Sequence, residues 1–166
     1  MNTTALPKLV ESQTQVRFPD CDPFNHLNNS KYIDYIINAR EDQLLKYYNF
    51  DIYKITRETG NTWVVAQTQI AYLSSAVLME KLTIETSLIS FNAKSLLVEA
   101  KMFNEDKSQL KAVMWSKLAH YNLRTRKSME HSAELMEFFN EVHNPIEKNP
   151  SFEERVKALK QIVQSI

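Results

Sequence analysis

The densest run of chemically capable side chains is Pro19-Asp20-Cys21-Asp22-Pro23-Phe24-Asn25-His26-Leu27-Asn28-Asn29. It holds two carboxylates, a thiol, an imidazole and three amides, and stands just before an apolar stripe of helical spacing. A helix start offers backbone N–H groups without intrahelical acceptors and a partial positive charge. Such a place can polarise a carbonyl and hold an oxyanion. A carboxylate beside it can act as general base or nucleophile. Asp22, the amides near Asn28 and Asn29, and the side chains of His26, Asn28 and Asn29 are thus the pieces of an acyl-transfer site. The same residue types are also what a turn followed by an N-cap requires, and on the residues alone both readings stand.

Other reactive side chains read as structural. Cys21 has no evident histidine partner, and Asp20 and Asp22 on either side disfavour its thiolate. Asp20 is expected to brace the turn. His120, His131 and His143 match no zinc spacing, so no metal site is expected. His120 reads as a hydrogen-bonded histidine on a strand face. Trp63 and Trp115 read as core. Lys94, Lys117, Arg124 and Arg126 read as solvated surface charge, with contact to the phosphates of a small anionic ligand as the alternative.

The elements that must position the loop are legible from periodicity. Residues 1–11 are polar and featureless, and Ser12–Phe18 reads as a strand. After the loop, Tyr32, Tyr35, Ile36, Ala39, Leu44, Leu45 and Tyr48 predict a helix over Ser30–Tyr48, with Asn28 or Asn29 as N-cap. Asp51–Thr59 predicts a short helix stopped by Gly60. Trp63–Leu73, Lys81–Phe91, Ser95–Phe103 and Lys111–Asn122 then read as strands, with a hairpin turn at Asn104–Ser108. Ser132–Val142 reads as a helix. So does Ser151–Ile166, where Ser151 and Glu154 form a capping box and Phe152, Val156, Leu159, Ile162, Val163 and Ile166 line one face. A long helix followed by a run of closely joined strands predicts an α+β fold with an antiparallel sheet. One helix on one face leaves sheet edges uncovered, which predicts an oligomer.

Composition narrows the function. The chain has 166 residues, enough for one domain with a real core. Twenty basic and 20 acidic residues cancel, so no nucleic-acid partner is expected. Gly60 is the single glycine, which excludes Gly-rich phosphate loops and dinucleotide fingerprints. The lone Cys21 permits no intrachain disulfide and fits a reducing compartment. No segment reaches the roughly 20 apolar residues that span a bilayer, and Met1–Thr14 has no apolar run of the secretory type. A cytoplasmic protein is expected.

The stretch Arg17-Phe18-Pro19-Asp20-Cys21-Asp22-Pro23-Phe24-Asn25-His26-Leu27-Asn28-Asn29-Ser30-Lys31-Tyr32, running on to Ala39-Arg40, resembles the signature of the 4-hydroxybenzoyl-CoA thioesterase family. In particular it resembles the acyl-CoA thioesterase branch, whose loop reads D-x-D-x-x-G-H-V-N-N-x-x-Y. The resemblance implies a hotdog fold, an antiparallel sheet wrapped around a long central helix. It covers residues 12–139 and leaves 140–166 as a C-terminal helical extension. It implies hydrolysis of acyl thioesters, acyl-CoA or acyl-carrier protein, in fatty acid metabolism, by a homodimer or homotetramer without metal or redox cofactor. It makes Asp22 the catalytic nucleophile or general base, with the N–H near Asn29 polarising the carbonyl. His26 and Asn28 match the branch's H and N, Asn29 falls near the substrate, and Tyr32 packs under the loop. Asn25 departs from the branch's glycine. Asparagine tolerates the positive φ that glycine would allow, and its side chain narrows the pocket. A non-catalytic acyl-CoA-binding module on the same fold is the competing expectation, and a hotdog hydratase a third.

Overall fold

The computed structural model describes residues 4–164. Its strands are β1 (Leu9–Gln15), β2 (Asn61–Tyr72), β3 (Lys81–Phe91), β4 (Ser95–Asn104), β5 (Leu110–Asn122) and the short β6 (Lys127–Ser128). Its helices are α1 (Asn29–Tyr48), α2 (Ile52–Thr59), α3 (Ala133–Val142) and α4 (Phe152–Gln164). Every strand pair is antiparallel, in the order β1-β3-β4-β5-β2, with β6 added to β5. The sheet curls around α1, which is the hotdog arrangement. Among the described residues no helix is long and apolar enough to cross a membrane.

Helix α1 starts where its cap dictates. Asn28 is extended, and its Oδ1 accepts the Ser30 N–H at 3.1 Å. It stops at Asn49, which turns left-handed at φ 52. Tyr32, Ile36 and Ala39 pack into the core with Leu82 and Ile84 of β3, Ala100 and Met102 of β4, and Ala112 and Met114 of β5. Leu45, expected on the buried stripe, is exposed, and Gln43 is buried in its place. Gln43 is tolerated there because its amide is satisfied. Nε2 donates to Ser12 Oγ and the Ile84 carbonyl at 2.9 Å, and Oε1 accepts from Thr86 Oγ1 at 2.5 Å. Helix α2 is capped by Asp51 and ends at Gly60, whose φ of +79 only glycine adopts freely.

Other features depart from the sequence expectations or go beyond them. The first strand begins at Leu9 and ends at Gln15, not at Phe18, which lies in a 3-10 turn over Phe18–Asp20. Residues Leu9–Glu11 are drawn into the sheet by pairing with Glu85–Ser87 of β3, a partner that local pattern does not reveal. Strand β3 is buried on both faces, although its sequence alternates. Its outward Glu85 is enclosed by Lys101 at 2.8 Å and Lys107 at 2.9 Å. Burial alone would raise the Glu85 pKa, but these two ammonium groups outweigh it and hold it below its ordinary value. Finally, Ile162 is 55% exposed, unlike Phe152 and Leu159 of the same helix; Ile166 lies outside the described residues.

The C-terminal helix docks on the outer face of its own sheet. The capping box forms in both directions: Glu154 N–H donates to Ser151 Oγ at 3.2 Å, and Ser151 N–H donates to Glu154 Oε2 at 2.7 Å. Phe152 and Leu159 pack against Phe103, Leu110 and Val113, with Trp115 edge-on to Phe152. Arg155 reaches the buried Glu99 of β4 through two hydrogen bonds, at 2.9 and 2.7 Å. Trp115 Nε1 donates to the same carboxylate at 2.9 Å.

At one end of the sheet, His120 and His131 stack with ring centroids 4.8 Å apart, under Trp63. His120 is 2% exposed. Its Nδ1 meets the Glu130 carbonyl at 3.2 Å and must be the protonated nitrogen. Its Nε2 has no hydrogen-bond partner among the described residues, so the expectation of a satisfied histidine holds for one ring nitrogen only. His131 Nδ1 meets the Asn92 carbonyl, and its Nε2 accepts the Trp63 indole N–H at 3.0 Å. Burial lowers both pKa values, and for His131 the neighbouring His120 lowers it further. The unfolded chain therefore binds more protons below about pH 6.5, and stability falls with pH from there until the folded-state values are passed. The melting temperature should drop between about pH 7.5 and about pH 5.5, and the drop should shrink in His120→Phe. An equal drop in the variant would show that other groups are responsible.

Candidate active site

The loop between β1 and α1 is held by its own backbone. Asp22 N–H donates to the His26 carbonyl at 2.8 Å, and Asn25 N–H donates to the Asp22 carbonyl at 3.1 Å. Asn25 has φ +60, a left-handed conformation that asparagine tolerates better than most residues. Its side chain is exposed. Leu27 is buried and donates its N–H to the Ala76 carbonyl, which ties the loop to the segment before β3. Asp20 does brace the turn. Its carboxylate accepts the Tyr35 hydroxyl at 2.6 Å, and its carbonyl accepts the Asn28 N–H at 2.9 Å. That carboxylate helps push the Tyr35 phenol up to about 12, after the larger contribution of burial.

Asp22 is half-buried at the centre of this loop. Its Oδ1 accepts the N–H of Phe24 at 2.9 Å and of His26 at 3.1 Å. Its Oδ2 takes no hydrogen bond from the described residues. One oxygen thus fixes the orientation while the other stays free to meet a proton or an electrophile. Asn28 is committed as the N-cap, with Ser30 Oγ also bonded to its Oδ1 at 3.0 Å. Asn29 follows as the first residue of α1, exposed, and as such its N–H has no acceptor within the helix. Tyr32 is buried beneath, accepting the Ala76 N–H at 3.0 Å and meeting Tyr72 edge-on at 5.1 Å. The Tyr72 hydroxyl donates to the Asn29 carbonyl at 3.0 Å. His26 is half-buried and bridges to Val77 through its backbone. The thiol of Cys21 donates to the Arg17 carbonyl, and its pKa is raised by desolvation and by the neighbouring Asp22 and Asp20. It is no candidate nucleophile.

A cavity of about 440 Å³ lies between α1, α2 and α3 and the inner faces of β2 to β5, within the range of small-molecule sites. Its walls are mainly apolar and include Ile36, Leu44, Trp63, Leu88, Met114 and Phe139. Trp63, read as core from the sequence, is a cavity wall. The lining along α1 begins at Ile36, roughly two turns beyond Asn29, and Asp22 is not part of it within one chain. Ile37, Tyr53 and Val65 line it and are exposed. Arg40 stands in the wall too. The sequence marked it only as the end of a motif, and no local signal shows that it turns inward.

A model of the thioesterase-like superfamily matches residues 16–139, three quarters of the chain. The chain belongs to the thioesterase-like superfamily. Within that superfamily it is 29% identical over 128 residues to the long-chain acyl-CoA thioesterase FadM of Escherichia coli (strain K12), covering 77% of this chain and 95% of FadM. The structure is similar to that of YbaW, a probable thioesterase from Escherichia coli, with TM-score 0.69 and 28% identity over 81% of this chain and 98% of YbaW. A DHNA-CoA thioesterase from Staphylococcus aureus shares the fold, with TM-score 0.72 at 16% identity over 93% of this chain and 94% of that one. The superfamily match ends inside α3, so α4 follows it.

Proposed function

We propose that this chain is a thioester hydrolase of the acyl-CoA branch, cleaving acyl-CoA or acyl-carrier-protein thioesters to a free acid and a thiol. The observation that carries the reading is Asp22: a carboxylate with one oxygen pinned by two backbone N–H groups and the other unbonded, in the loop that leads into a helix start. The thioester carbonyl sits at the start of α1, where the N–H near Asn29 polarises it. Asp22 then takes a proton from water as the hydroxyl oxygen adds to the carbonyl carbon. The resulting oxyanion collapses, the C–S bond breaks, and the thiolate leaves and is protonated. In the nucleophilic version Asp22 itself adds to the carbon, expels the thiolate, and water cleaves the mixed anhydride. Asn25, His26 and Asn29 border the reacting group, while Asn28 and Tyr32 hold the helix start in position. This chemistry calls for no metal or redox cofactor. Residues 12–139 form the catalytic domain and 140–166 an extension, and the protein works in the cytoplasm.

The acyl chain runs along α1 into the cavity, whose exposed apolar residues call for a cover. Strand β2 is an edge of the sheet, and Val64 and Val65 on it are exposed. A second copy pairing along β2 buries them and closes the cavity, giving a homodimer or a pair of dimers. Sedimentation should show a dimer at micromolar concentration, and Val65→Lys should shift it toward monomer. A monomeric wild type, or a variant that dimerises as before, would rule out this interface.

The reading is tested by thiol release from a panel of acyl-CoA substrates, short, long and aromatic. Turnover of any member supports it, and the preferred member identifies the acyl class. The side chain of Asn25, placed where the branch has glycine, favours one second reading, a non-catalytic acyl-CoA-binding module. Tight CoA-thioester binding without turnover on any carrier would establish that instead.

A further inference from the structure

Among the described residues, Arg40 has no carboxylate partner. It lies on α1 one turn beyond Ile36 and lines the apolar cavity, and its Nη1 reaches Thr86, another residue of the cavity wall. Desolvation lowers its pKa to about 10, offset in part by the neighbouring Tyr48 phenol. Among the described residues no carboxylate lies within ion-pair distance of it. Glu41, which also lines the cavity, accepts the Tyr53 hydroxyl at 2.8 Å instead. Arg57, the other charged lining residue, is exposed.

The guanidinium is nonetheless held in place. Nη1 donates to Thr86 Oγ1 at 2.8 Å, and the Thr86 hydroxyl donates in turn to Gln43 Oε1 at 2.5 Å, while the Gln43 Nε2 is anchored on Ser12 and Ile84. That chain uses one of the five N–H donors of an arginine. A desolvated charge is costly unless it is paired. A fixed, incompletely paired guanidinium in the wall of an apolar cavity is complementary to a carboxylate on an aliphatic body, since guanidinium matches carboxylate in a planar, two-pronged geometry and the apolar walls match the aliphatic chain.

We propose that the cavity binds an aliphatic carboxylate, with the carboxylate on Arg40, beside Thr86 and Tyr48, and the chain along the apolar walls. Two sources share this chemistry: a free fatty acid, and an acyl group that bears a second carboxylate far from its thioester. Only the second depends on the thioesterase reading.

Calorimetry on the wild type with dodecanoate and with dodecan-1-ol tests the site without any variant or any activity. The acid should bind at least about tenfold more tightly than the alcohol, as a charge-assisted hydrogen bond provides. Equal binding, or no binding of dodecanoate, would overturn the proposal. Arg40→Gln should weaken dodecanoate by about tenfold to a hundredfold and move the alcohol by less than about twofold, with Arg40→Lys in between. A purely structural arginine would affect both ligands alike, which would also overturn it.

Kinetics separates the sources. Faster cleavage of the mono-CoA thioester of dodecanedioic acid than of dodecanoyl-CoA, lost in Arg40→Gln, assigns the carboxylate to the substrate. Equal cleavage of the two, with competitive inhibition by dodecanoate that Arg40→Gln relieves, assigns it to the free acid. If no thioester is cleaved at all, the thioesterase reading fails while the calorimetry still decides the carboxylate site.

Discussion

Asp22→Asn is expected to lower kcat/KM for thioester cleavage by about two orders of magnitude or more, the effect of losing a general base or nucleophile. The loss should fall on kcat, with KM little changed, because the side chain acts in the transition state and not in holding the acyl chain. The fold should survive. Asparagine can present its Oδ1 to the same N–H groups of Phe24 and His26 that hold Asp22 Oδ1, so the loop keeps its bonds and loses only the free, charged oxygen. Melting temperatures of the two proteins should therefore agree, and that agreement separates lost chemistry from lost structure. Equal activity in both proteins would remove Asp22 from the mechanism. If both bind acyl-CoA tightly yet are inactive on acyl-CoA and acyl-carrier-protein thioesters alike, the chain is a binding module.

The second large effect concerns stability. Glu99 is 1% exposed, and its carboxylate is met by Arg155 from α4 and by the Trp115 indole. Arg155→Met would leave a buried carboxylate with a single neutral donor. Breaking a buried pair on one side is far more damaging than lacking the pair, because the remaining charge stays desolvated. A loss of about 3 kcal/mol is expected, at the lower end for such pairs because Arg155 keeps some contact with solvent. For a chain of this size that is a fall of roughly 6–12 °C in melting temperature. Adding Glu99→Met should restore most of it, since the uncompensated charge is then gone. By contrast, breaking the exposed Lys31–Asp34 pair should change stability by less than about 1 kcal/mol. A double variant as unstable as Arg155→Met alone would mean that α4 is held by the stem of Arg155 and not by its charge.

What the chain states locally, a reader of the sequence can recover. The bounds of α1 follow from Asn28 as cap and from a stripe at helical spacing. The end of α2 follows from Gly60, and the start of α4 from Ser151 and Glu154. All of these are set by hydrogen bonds between residues two to four positions apart, so the residues that make them are neighbours in the sequence. The Asp22 loop is legible for the same reason, since the turn, the cap and the carboxylate lie within one short run. Even the left-handed Asn25 could be anticipated from its place in the motif.

The remainder depended on groups far apart in the chain. That β1 starts at Leu9 is decided by pairing with β3, and that β3 is buried on both faces is decided by Lys101 and Lys107 closing over Glu85. The Glu99–Arg155 pair joins residues 56 positions apart. The stack of Trp63, His120 and His131 draws on β2, β5 and the segment before α3. Gln43 displaced Leu45 from the core because Ser12, Ile84 and Thr86 converge to satisfy its amide. Arg40 shows the limit most clearly. In sequence it is an arginine on an amphipathic helix, and the ordinary expectation is a solvated charge. Only when the sheet curls around α1 does it come to stand in the wall of an apolar cavity, because which side of a helix is enclosed is settled by the elements that pack on it and not by the helix itself.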